Sequence, residues 1–149
     1  MTLSRLSPLA RWLGFAGLLP FFGMLALALF GPPVLEGFAV AALGTYGAVI
    51  LSFLGAVHWG LALGSPEAPA RGWRLVLGVV PALIAWVALL LEAGPSLALL
   101  AAGLVGTALV ETLAARRGLL PAGYLALRWM LSLAAGLSLG LAALAFWEF

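Results

Sequence analysis

Five long apolar runs, separated by short breaks rich in Gly, Pro or charge, organise this sequence. They are residues 12–30, 38–63, 73–91, 97–113 and 125–147. Each is too long to be read as a strand. In hydrocarbon every backbone N–H and C=O must find its partner inside the segment, so isolated runs of this kind resolve as helices. A span needs about 20 apolar residues to cross a core roughly 30 Å thick. The runs therefore predict an all-α membrane protein, a five-transmembrane-helix bundle, with residues 1–149 forming a single transmembrane domain. Composition agrees, with 65% of the residues hydrophobic and 8% charged, against about 25% charged in an ordinary soluble domain.

The first run follows Arg5 and Arg11, as the h-region of a signal peptide would. It exceeds the usual 7–15 residues of such a region and carries Pro20 in its middle, so it reads as a retained span. Pro20 and Pro81 are the expected kinks, each inside the first helix of a pair joined by a tight Gly-Pro turn.

Arginine placement orients the bundle. Arg5 and Arg11 precede the first run, Arg71 and Arg74 lie between the second and third, and Arg116, Arg117 and Arg128 lie around the break between the fourth and fifth. With the N-terminus cytoplasmic and the C-terminus outside, all seven fall on the cytoplasmic side, as the positive-inside rule prefers. Glu36, Glu92 and Glu148 then fall on the other. These arginines make no basic run and there is no nucleic-acid motif, so no nucleic acid is expected as a partner. The expected location is a bacterial cytoplasmic (inner) membrane.

Chemistry has few carriers. Cys, Lys, Asp, Asn and Gln are absent and there is one histidine, His58. Thiolate metal sites and Schiff-base lysines are thereby excluded. One histidine with scattered glutamates makes neither a zinc nor a di-iron set, and bis-histidine haem would need two subunits. No catalytic residues, metal or cofactor are expected.

Depth links the remaining polar residues. His58 lies about 7 Å inside Leu63, at 1.5 Å per residue. Glu111 is five residues before Arg116, and Arg128 is one turn beyond Tyr124, so the three ionisable groups share a leaflet. Thr107 stands one turn from Glu111, and Ser132 one turn from Arg128. Gly44, Gly47, Leu51, Gly55 and His58 follow a three-to-four-residue rhythm, a small-residue stripe that admits close helix packing. The expected site is a cluster of His58, Glu111 and Arg128 under the cytoplasmic interface, with Tyr124 and Thr107 beside it. The second run's stripe would pack there against the fourth and fifth helices.

Intramembrane ionisable groups mark ligand or proton pathways. A histidine exchanges protons near neutral pH, a carboxylate beside it fixes its tautomer, and an arginine holds an anion or carbonyl. The structural alternative has Glu111 and Arg128 neutralising each other while snorkelling toward water, with His58 donating to a backbone carbonyl.

The stretches "YGAVILSFLGAVHWGLALG", "LGFAGLLPFFG" and "PAGYLALRWMLS" resemble a family of small multi-pass membrane proteins of unknown function, bacterial with mitochondrial transmembrane relatives in animals. Tyr46, Ser52, Gly55, His58, Trp59 and Gly60 match its signature, and Pro20 and Arg128 match recurring positions. Ala56 stands where members more usually have Gly. The resemblance implies a membrane address, adds Ser52 and Trp59 to the candidate site and Gly60 to the packing glycines, and supplies no reaction.

Three functions fit. The first is a non-enzymatic bundle binding a lipid, a quinone-like molecule, a membrane-protein partner or further copies of itself. The second is a small oligomeric proton or ion channel or transporter. The third is a subunit of a lipid- or quinone-modifying enzyme, which lacks an evident nucleophile. The first is preferred.

Overall fold

The structure is a computed structural model that describes residues 7–64, 71–116 and 124–148. Arg5, Arg117 and Glu67 lie outside the described residues. All regular structure within them is helical: α1 Pro8–Ala16, α2 Leu19–Phe30, α3 Glu36–Leu63, α4 Arg71–Ala88, α5 Ala93–Arg116 and α6 Tyr124–Ala145, with one 3-10 turn at Pro33–Leu35.

The expected first span is α1 and α2 together. It begins at Pro8, where Ser7 caps the helix by accepting a 3.2 Å hydrogen bond from the Ala10 N–H. It is interrupted at Gly17 and Leu18, ahead of the expected kink at Pro20, which instead lies in the first turn of α2. The cause is local. Proline has no N–H to offer the carbonyl four residues back, and it disfavours the helical conformation in the residue before it. The Tyr46 hydroxyl donates to the Gly17 carbonyl at 3.0 Å, giving a backbone acceptor at the break a partner.

Gly31 ends α2 and the Pro32–Pro33 pair turns the chain into α3, which at 28 residues is about 42 Å long. The helix α4 has 18 residues and runs through Pro81 without a break. By length and hydropathy four segments suffice to cross a membrane: Pro8–Phe30, Pro33–Leu63, Ala93–Leu113 and Tyr124–Ala145. Gly72–Ala88 is the short fifth. Large apolar side chains lie on the outside, Phe30 at 84% and Val34 at 86% exposure among them. That surface suits lipid as its solvent.

Short connections make α2–α3 and α4–α5 antiparallel neighbours, while the most extensive contacts are α3 with α4 and α5 with α6. The up-and-down course collects Arg11, Arg74 and Arg128 at one end, and Glu36, Glu92 and Glu148 at the other. Phe21, Leu43, Leu51, Leu97, Leu100 and Leu139 form the centre, each essentially inaccessible. Phe21 also meets Tyr46 edge-on at 4.9 Å, and its carbonyl accepts a 3.0 Å hydrogen bond from Ser138, tying the first span to the last.

The glycine stripe of α3 divides its partners. Gly47 lies against Leu100 and Leu139, and Gly44 faces Leu97, so this part packs on α5 and α6 as expected. Gly55 instead abuts the backbone of Gly78 in α4. Gly60 is exposed, and among the described residues nothing lies where its Cβ would project, so no packing contact is seen there.

Candidate functional site

At the arginine-bearing end, α3, α5 and α6 converge on a buried polar cluster. His58, Glu111 and Arg128 are 5%, 1% and 4% exposed. The Glu111 carboxylate is the hub. Its Oε1 lies 3.3 Å from His58 Nε2, and its Oε2 accepts a 2.8 Å hydrogen bond from Arg128 Nε. Arg128 donates through Nη2 to Thr107 at 2.6 Å and through Nη1 to Ser132 one turn deeper. Thr107 passes its own proton back to the Leu104 carbonyl at 3.0 Å. The Tyr124 hydroxyl stands 3.5 Å from Glu111 Oε1, at the edge of hydrogen-bonding range.

This arrangement keeps the Glu111–Arg128 pairing of the snorkelling alternative and differs from it in two contacts. Arg128 turns inward, toward Ser132, and His58 meets a carboxylate where that alternative has it donate to a backbone carbonyl. A buried ion pair is tolerated when its remaining donors and acceptors are satisfied, and here two hydroxyls complete the guanidinium's bonds.

Two signature residues lie elsewhere. Ser52 donates to the Ala48 carbonyl in its own helix at 2.8 Å. Trp59 reaches across to α4, where its indole N–H donates to the Leu75 carbonyl at 3.0 Å. Neither joins the cluster. Missed by sequence reasoning were the Trp129 donation to Thr112 at 2.9 Å, beside the cluster, and the Arg74 donation to the Leu61 carbonyl at 3.3 Å. A signal for the first exists: Thr112 and Trp129 each follow a cluster residue by one, so α5 and α6 meet in register there.

Two clefts with largely apolar walls reach the cluster from opposite sides. One, about 340 Å³, lies between α3, α4 and α5 and has His58 and Thr107 as its polar lining, beside Pro81 and Ile84. The other, about 380 Å³, lies between the first span and α3, α5 and α6 and has Arg128 and Ser132 as its polar lining. One imidazole and one carboxylate fall short of a three-ligand metal site.

A family described as proteins of unknown function, DUF3429, matches residues 6–144. The chain belongs to this family. The DUF3429 match takes in the whole cluster and both clefts. Transmembrane protein 69 of Xenopus tropicalis is 44% identical over 86 residues, covering 54% of this chain and 32% of that relative. The chain thus spans well under half of that relative's length. No solved structure gives a significant match. With this relative and its apolar helices, this DUF3429 chain is a multi-pass membrane protein. The family description assigns it no activity.

Proposed function

We propose that this protein is a non-enzymatic bundle of the bacterial inner membrane that binds a lipid-soluble molecule at His58. The observation carrying this reading is the cleft of about 340 Å³ that meets the buried His58–Glu111–Arg128 cluster. Its size is in the range of small-molecule sites, about 300–1,000 Å³.

The chemistry of the head group follows from the cluster. An unprotonated Nε2 would set lone pair against lone pair across 3.3 Å, so the ring proton belongs on Nε2, facing Glu111. In the neutral ring that leaves Nδ1 as the acceptor. Glu111 and Arg128 balance each other's charge, so an anion at His58 would face the carboxylate with no cation to spare. An uncharged head offering a hydroxyl, on an apolar tail, suits the cleft. A quinone-like molecule in its reduced form has that chemistry, as does a lipid alcohol.

The channel reading has less support, because Leu43, Leu51, Leu97, Leu100 and Leu139 fill the centre of the bundle beyond the cluster. That core breaks a polar path across it.

Native mass spectrometry of protein extracted gently from its own membrane tests the proposal. A small molecule retained by the wild type and absent from His58→Ala is the expected result. Bare protein in both, with one oligomeric state, would overturn it and direct the search to protein partners.

A further inference from the structure

The second cleft is built on different elements from the first. Its walls run from Ala10 through Gly14 and Leu18 to Phe21 on the first span, against Phe53 and Leu54 of α3 and Leu131 and Ala135 of α6. Ala10 to Phe21 is about 16 Å of helix, close to half of a hydrocarbon core roughly 30 Å thick. The furrow is therefore about one leaflet deep, and its mouth lies at the arginine-bearing end.

Arg11 is a half-buried residue of α1 beside the cleft's arginine-bearing end, its neighbours Ala10 and Gly14 both lining the cleft while it does not. Its Nε is the one buried side-chain nitrogen or oxygen among the described residues with no hydrogen-bond partner. Neither ion pair among the described residues includes it. A buried guanidinium N–H without an acceptor is costly, and the fork geometry of arginine matches phosphate oxygens. Deeper in the same cleft Arg128 has spent its charge on Glu111. The unbalanced charge is that of Arg11, at the depth where lipid head groups lie.

We infer that this cleft holds one anionic phospholipid, its phosphate on Arg11 and an acyl chain lying along the furrow between the first span and α6. This site is separate from the His58 cleft and does not depend on what binds there. Apolar walls admit any acyl chain, so the selectivity resides in the head group.

The test uses full-length protein in nanodiscs of equal parts phosphatidylglycerol and phosphatidylcholine, with tightly held lipid counted by native mass spectrometry. The wild type retains one phosphatidylglycerol in preference to phosphatidylcholine. Arg11→Gln lowers that preference about tenfold, the scale of one charge-assisted hydrogen bond. Ala10→Trp, at an exposed position lining the cleft, blocks the furrow with Arg11 intact and releases the lipid altogether. Unchanged circular dichroism in at least one variant keeps the reading independent of misfolding. Equal retention of the two lipids by wild type, or a preference untouched in a folded variant, would overturn the inference.

Discussion

Glu111 holds two positively disposed groups at once, so its removal is not a simple loss of one contact. In Glu111→Gln the Arg128 guanidinium stays buried without a counter-charge, a change that costs about 3–5 kcal/mol where buried pairs are broken one-sidedly. Replacing both, as Glu111→Leu with Arg128→Met, leaves no charge to strand and recovers most of that loss. Equilibrium unfolding in mixed micelles measures the cycle, and a double variant no more stable than Glu111→Gln would contradict the pairing. The trio was legible in the sequence because depth and helical period place residues along and around a helix without tertiary information. Arg11 and Arg74 were legible as topology marks and nothing more, since their contacts depend on how the helices are separated. The same limit hid both clefts.

The α3–α4 crossing rests on Gly55 and Gly78. A Cβ at Gly55 would run into the Gly78 carbonyl, which is backbone and cannot step aside. A Cβ at Gly78 would run into the Trp59 ring, which is held by its bond to the Leu75 carbonyl, and would crowd the Gly55 carbonyl at 3.1 Å. Gly55→Ala and Gly78→Ala therefore both destabilise, by about 1–3 kcal/mol as overpacking does, while Gly60→Ala is neutral or slightly stabilising. Thermal midpoints of the three variants in one detergent check this order. The stripe was readable from Gly44 to His58, and Gly60 breaks it, lying five residues and so about 140° round the helix from Gly55. Which helix each glycine meets was not readable, because a small-residue face fits any neighbour that comes close. The lower stripe went to α4, the shortest span, whose Gly78 offers a matching gap.

The bundle has two chemically distinct ends, and their assignment to the sides of a membrane is open to a direct test because the chain has no cysteine. Glu92→Cys, at the exposed α4–α5 turn, should react with a membrane-impermeant maleimide on spheroplasts. Gly72→Cys, exposed at the start of α4, should react only after permeabilisation. The reverse pattern would invert the orientation read from the arginines. Five helical units and their up-and-down order were legible from hydropathy alone. The break at Gly17 and the bond from Ser138 to Phe21 were not, since each joins or divides what a hydropathy profile treats as uniform. The position of Arg128, 17 residues after its acid, also orders events during synthesis. At about 5–20 residues per second the ribosome makes Glu111 roughly 1–3 s before the arginine that neutralises it. Until α6 arrives, the nascent helix carrying Glu111 must wait at the membrane surface, enter with its acid protonated, or borrow a cation from the insertion machinery.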